Sequence, residues 1–260
     1  MKAFQTLLAS GTPLGTWLMA AAPNTAEALG HAGFNFLVVD MEHVTIEFSD
    51  LAHILRAIGC TASAPVVRLA WADQILVKRA MDAGAETLML PFIQTAEEAR
   101  EAVSYMRYPP HGVRGVAAVH RGSHFGTLPF YLAGAHERAY SILQLETPEA
   151  VANLGAIAAV EGVDAVFVGP GDLSAAMGHI GDIGHKDVQE LIAHAARAAA
   201  KAGKPIGIVG PNPAMVRRFL DYGYSFAAVS SDMGMMTSRA GEWLAELRQA
   251  QAPAASQSAY

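Results

Sequence analysis

The sequence predicts an α/β protein of the (β/α)8 TIM-barrel class. Eight short apolar runs, rich in β-branched residues, alternate with amphipathic stretches: 14–19, 36–40, 65–69, 87–90, 141–146, 164–168, 205–209 and 226–231. Helix start and stop signals fall between them. The 260 residues show no linker or composition break, so residues 1–250 are expected to form one domain of barrel size. A doubly wound open sheet would show fewer strands and a glycine-rich first turn, which is missing here.

Before the first strand, Phe4, Leu7 and Leu8 recur at i, i+3 and i+4, which fits a short amphipathic helix. Gln5 and Thr6 interrupt the run and argue against a signal peptide. Asn24 with Glu27 has capping-box spacing for the next helix, which should stop at Gly33. The second strand runs into Asp40-Met41-Glu42-His43, and the helix after it should stop at Gly59. Arg68 lies at the end of the third strand, and Gly84 precedes the fourth. Thr95 with Glu98 opens the helix that follows.

The segment 108–139 breaks the regular spacing. It holds several prolines and glycines together with Arg114, Arg121, His111, His120 and His124. A loop-rich excursion this long is usually functional, though it also suits an oligomer contact. The fifth strand carries Gln144 and Glu146 two apart, hence on one face. Thr147-Pro148 then starts a helix, as Asn212-Pro213 does after the seventh strand. The sixth strand leads into Gly169-Pro170-Gly171-Asp172-Leu173-Ser174. Gly203 and Gly223 precede the last two strands, and the eighth ends near Ser230, Ser231 and Asp232. A C-terminal helix over 237–249 would carry Trp243, Leu244 and Leu247 on one face, and 251–260 reads as a disordered tail.

Composition narrows the function. The 18 Lys plus Arg against 24 Asp plus Glu give a net charge of −6, which argues against a nucleic-acid-binding surface. The single cysteine, Cys60, excludes an internal disulfide framework and a multi-cysteine metal site within one chain. No apolar stretch has the length of a membrane span, so a cytoplasmic protein is expected.

Reacting groups of a barrel come from the C-terminal strand ends. Glu146 and Asp172 are hard oxygen donors on neighbouring units, suited to Mg²⁺ or Mn²⁺ with water and substrate oxygens. They are alternatively structural carboxylates satisfied by backbone N–H groups or by Arg68. Arg68, inside the mouth, needs an anion: either Glu146 or a substrate carboxylate or oxyanion. His43 is placed for proton transfer, or it is an ordinary exposed loop histidine.

Together the stretches Val38-Val39-Asp40-Met41-Glu42-His43, Val67-Arg68-Leu69, Gln144-Leu145-Glu146-Thr147 and Phe167-Val168-Gly169-Pro170-Gly171-Asp172-Leu173-Ser174 are specific. With Arg107-Tyr108-Pro109-Pro110-His111-Gly112-Val113-Arg114-Gly115, the chain resembles the HpcH/HpaI family of metal-dependent pyruvate aldolases over about 15–243. The resemblance implies a barrel of the phosphoenolpyruvate/pyruvate type. It implies a divalent metal ion (Mg²⁺, Mn²⁺ or Co²⁺) on Glu146 and Asp172. Arg68 is implied on the keto oxygen of the pyruvyl group, with His43 and a water at the metal exchanging the proton. Gln144 is implied near the metal-site waters, and Gly171 with Asp172 at the substrate carboxylate, next to Ser174. Asp82 matches an aspartate that pairs with the histidine, and its place at a helix end allows that pairing only between subunits. Asp40 is implied to order the loop or a neighbouring contact.

The implied activity is reversible aldol cleavage of 4-hydroxy-2-oxoacids to pyruvate, or a related 2-oxoacid, and an aldehyde through a metal-stabilised enolate. The lysines all read as helix, loop or terminus, so a Schiff-base lysine is not expected on a strand. The implied assembly is a homohexamer of dimers that exchange the C-terminal helix. The aldehyde half is unassigned, with His120, Arg121 and His124 as candidate contacts. The competing readings are an acyl-CoA lyase of the same superfamily and a sugar-acid-binding barrel without turnover.

Overall fold

The computed structural model describes residues 4–250; the expected tail, 251–260, lies outside them. Eight parallel strands close in sequence order into a barrel: β1 (Leu14–Leu18), β2 (Phe36–Asp40), β3 (Ala64–Arg68), β4 (Thr87–Leu90), β5 (Tyr140–Leu145), β6 (Ala165–Val168), β7 (Ile206–Gly210) and β8 (Phe226–Ser231). Each coincides with an expected run to within a residue at either end.

Side-chain parity builds the site. Successive residues of a strand face opposite ways. On β2 Leu37 and Val39 pack outward against the helices, while Phe36 and Val38 fill the barrel interior. Asp40 shares the inward parity. Ala64 and Val66 on β3 and Tyr140 and Ile142 on β5 likewise face inward, which brings Arg68 and Gln144 to the mouth. The interior is floored by α1 (Phe4–Ser10), whose Phe4 packs edge-on against Phe36 and Phe226 at 5.3 and 5.2 Å. Gly15 and Gly207 make room for these rings: a Cβ on Gly15 would land in the Phe36 ring, and one on Gly207 in the rings of Phe226 and Phe167.

The outer layer contains α2 (Pro23–His31), α3 (Phe48–Ile58), α4 (Gln74–Asp82), α5 (Ala96–Met106), α6 (Tyr131–Arg138), α7 (Pro148–Ala152), α8 (Leu154–Ala158), α9 (Pro170–Ala176), α10 (Lys186–Ala202) and α11 (Pro213–Asp221). Thr95, Thr147 and Asn212 cap their helices as expected. The expected capping box at Asn24 and Glu27 does not form. Pro23 already occupies the first helical turn, so the cap moves to Ala22, which offers no side-chain bond. The segment 108–139 is more ordered than expected, with a 3-10 turn at Arg121–Ser123 followed by α6.

The last helix, α12 (Asp232–Ala250), departs from the pattern. Every residue from Met236 to Arg248 is exposed, including Trp243, Leu244 and Leu247. Beside its first turn lies an almost wholly apolar groove of about 460 Å³ between Ala28, Leu29, Met233 and Met236. Among the described residues no helix is long and apolar enough to cross a membrane.

Candidate active site

Arg68 is the fixed point of the mouth. Asp40 and Arg68 are register partners on β2 and β3, so their side chains meet side by side. Arg68 Nε donates to Asp40 Oδ1 at 2.9 Å and Nη2 to Oδ2 at 2.7 Å, a bidentate fork. Nη1 lies 2.8 Å from Glu42 Oε2, and the Trp17 ring sits against the guanidinium at 4.5 Å. This corrects the expected alternative of an Arg68–Glu146 pair: the adjacent strand supplies the anion instead. Three contacts leave two of the five guanidinium N–H groups for a substrate oxygen. Asp40 Oδ1 also accepts the Glu42 and His43 N–H groups at 3.0 and 3.4 Å, which ties this loop to the end of β2.

Glu146 lies just past β5 and is buried. Gln144 Nε2 donates to its Oε1 at 2.6 Å, and the Phe92 N–H donates to its Oε2 at 3.0 Å. Phe92 adopts φ +56°, a left-handed conformation that a bulky residue rarely takes and that turns its amide toward this carboxylate. A Cβ on Gly169 would collide with Glu146 Oε1, so glycine is required where the two loops meet. Burial first, then the charges of Glu42 and Asp172, push the Glu146 carboxyl up to about 7, against the pull of the Phe92 amide and Arg68. Burial also raises Glu42, with Arg68 and His43 opposing and Asp40 and Asp172 adding to the rise.

Four carboxylates thus face one guanidinium, and the buried Gln144 Oε1 has no partner among the described residues. An excess of hard oxygen donors with an orphaned acceptor fits a divalent cation such as Mg²⁺ or Mn²⁺. Asp172 reaches the mouth from the first turn of α9 and not from a strand. Gly171, beside it, has open space where a side chain would be. Ser174, expected beside the substrate carboxylate, is fully buried, and its hydroxyl donates to the Gly171 carbonyl at 2.7 Å, shaping the turn.

His43 is largely exposed, 3.8 Å from Glu42 Oε1. Asp82 ends α4, at the far end of the barrel from His43 of the same chain. It accepts from Arg114 Nη2 at 2.6 Å and lies 3.6 Å from His120 Nε2. Arg114 is fully buried over the Tyr108 ring, and burial pushes the Tyr108 hydroxyl up to about 12. Burial, with the Arg114 charge, lowers His120 against the pull of Asp82. Arg121 donates to the Ala83 carbonyl at 3.0 Å, and Arg121 and His124 line a pocket with Gly84 and Glu86. The residues expected to contact the aldehyde therefore gather around the end of α4, away from this chain's own mouth. Sequence reasoning gave no role to Glu42, Trp17 or the Phe92 amide. Glu42 was legible from its place two residues after Asp40, whereas the other two depend on contacts between strands.

Three comparisons bear on this site. The family model described as HpcH/HpaI aldolase/citrate lyase matches residues 14–238. A 2-dehydro-3,6-dideoxy-6-sulfogluconate aldolase of Pseudomonas putida is 56% identical over 248 residues, covering 95% of this chain and 97% of the relative. A 5-keto-4-deoxy-D-glucarate aldolase of Salmonella arizonae is 46% identical over 235 residues, covering 90% and 91%. The crystal structure of an HpcH/HpaI aldolase/citrate lyase family protein from Burkholderia cenocepacia J2315 superposes with a TM-score of 0.90 at 39% identity, covering 94% of this chain and 99% of that one.

Proposed function

The chain belongs to the HpcH/HpaI aldolase/citrate lyase family and is a carbon–carbon lyase, and from that premise we propose that it cleaves 4-hydroxy-2-oxoacids to pyruvate and an aldehyde at the mouth built by Arg68 and Glu146. One observation carries this reading: a locked guanidinium facing a carboxylate cluster, buried at Asp40 and Glu146, that is short of positive charge. Glu146 and Asp172 would hold a divalent cation, Mg²⁺, Mn²⁺ or Co²⁺, with Gln144 turned toward its surroundings. When bound, that ion supplies Lewis-acid stabilisation of charge on the 2-oxo group.

The chain's own residues do the rest. The Gly171 and Asp172 amides hold the substrate carboxylate at the start of α9. Arg68 offers its two free N–H groups to the 2-oxo oxygen, and Asp40 and Glu42 keep the fork from rotating away. His43 takes the proton of the 4-hydroxyl as the C3–C4 bond breaks. The bonding electrons move to the C2 oxygen, the aldehyde leaves, and His43 returns the proton to C3 to give pyruvate. Asp82 of a second copy orients His43, since the two lie at opposite ends of one barrel. His120, Arg121 and His124, near Asp82, would then face the aldehyde half of the neighbouring site.

We further propose a homo-oligomer, a hexamer built from dimers that exchange α12, supported by the uncovered Trp243, Leu244 and Leu247 and by the apolar groove near its base. A cytoplasmic setting suits the free Cys60. The acyl-CoA lyase reading has less support, because the named relatives are aldolases. The test is pyruvate release from a panel of 4-hydroxy-2-oxoacids, including the sulfonated and dicarboxylated ones that the relatives' names point to. Activity on at least one, lost in EDTA and restored by Mg²⁺, Mn²⁺ or Co²⁺, is expected. Full activity after exhaustive metal removal would overturn the cation's role.

A further inference from the structure

We infer that His179, His185 and Asp187 form a second cation site, away from the mouth, that takes a divalent transition metal such as Zn²⁺ or Ni²⁺. One ligand atom from each residue lies within 4.8 Å of the other two. The two imidazoles stack at 3.5 Å with 15° between their planes. Neutral imidazole is the form a metal binds. The Asp187 N–H donates to His185 Nδ1 at 3.3 Å, a capping bond that an ion on this nitrogen would displace. The same nitrogen stands 3.9 Å from Asp187 Oδ2.

The connection between α9 and α10 is folded to bring these groups together. Gly178 and Gly181, at φ +80° and +79°, bracket His179. The His179 N–H donates to the Ser174 carbonyl at 2.8 Å, Asp182 to His179 at 2.9 Å, and His185 to Asp182 at 3.1 Å. These consecutive turns return His179 onto the first turn of α10. Donors about 2.0–2.1 Å from a tetrahedral ion sit roughly 3.3 Å apart. Closing the cluster onto an ion thus takes a shift on the order of 1 Å by Asp187, 62% exposed, and a turn of the 35% exposed His185 ring out of the stack, so that the in-plane lone pairs converge. The positive end of α10 opposes a cation by about 0.3–1 kcal/mol, and the Asp187 carboxylate in that same turn offsets it.

Donor chemistry separates the two sites. The proposed ligands at the mouth, Glu146 and Asp172, offer oxygen only, which suits Mg²⁺, whereas two imidazoles and a carboxylate favour borderline metals. Because α9 carries Asp172 in its first turn, an ion here pins the connection behind the mouth. The test is equilibrium dialysis of Zn²⁺ against the untagged full-length chain in excess Mg²⁺. One Zn²⁺ per chain is expected, retained in Glu146→Gln and weakened at least about tenfold in both His179→Gln and the exposed Asp187→Asn. Metal-free melting curves of the two variants should match the parent chain. Two results would overturn the site: no Zn²⁺ retained by the parent chain, or binding that Glu146→Gln removes while His179→Gln and Asp187→Asn leave it intact.

Discussion

On the proposed reading Arg68 and Glu146 divide the chemistry between a cation that the protein supplies and one that it recruits. Asp40 holds Arg68 by two parallel bonds, with Trp17 behind it, so the guanidinium has little freedom to follow a misplaced substrate. Asp40→Asn replaces one charged acceptor with an amide that cannot accept the full fork. The expected result is a fall in kcat of about 10²-fold with a smaller change in KM, as for loss of a preorganised charge; steady-state kinetics on pyruvate release check it. Glu146 gives a pH prediction. Its carboxyl is raised to about 7, so a cation competes with a proton below that value. Affinity for Mn²⁺ should fall about tenfold per pH unit below about pH 7, with about one proton released per ion bound near pH 6. Calorimetry in buffers of different ionisation enthalpy reads both quantities. In the cation-free chain the same shift costs stability that is absent below about pH 4.5 and fully developed above about pH 7. Motif residues such as Glu146 and Arg68 could be read from the sequence, because strand parity alone sends them into the mouth. The partner of Arg68 could not, since it is set by the β2–β3 register. Ser174 shares the motif but faces inward, which only the helix geometry reveals.

Among the elements, strands were more legible than helix starts. Each strand is a short β-branched run, and closing the barrel leaves no choice of neighbour. Helix starts depend on which of several polar residues reaches the first turn, and at α2 a proline displaced the expected cap. The long segment after α5 was recognised as unusual, but its fold around Asp82 rests on Arg114, a buried arginine in a stretch without periodicity. For α12 the structure leaves an amphipathic helix with its apolar side chains uncovered. If neighbouring copies exchange this helix, Trp243→Glu should shift the chain to smaller species in light scattering coupled to size exclusion, with barrel circular dichroism retained. Unchanged mass with Trp243→Glu and Leu247→Glu combined would assign the assembly to other surfaces.

For the whole molecule, the barrel places every proposed reacting group but Asp82 at one rim, and places Asp82 at the other. If Asp82 of a second copy orients His43, as proposed, a single chain is an incomplete enzyme. On the same proposal the aldehyde half is read by surfaces that meet only in an assembly, whereas the pyruvate half belongs to one mouth. The central claim can therefore be tested without knowing the aldehyde. Pyruvate incubated with the enzyme in D₂O, followed by proton NMR, reports whether the site withdraws and returns the C3 proton. The account predicts methyl deuteration that requires a divalent cation and is lost in Arg68→Ala. Absence of exchange in the cation-supplemented parent enzyme, or exchange that persists undiminished in both EDTA and Arg68→Ala, would contradict it.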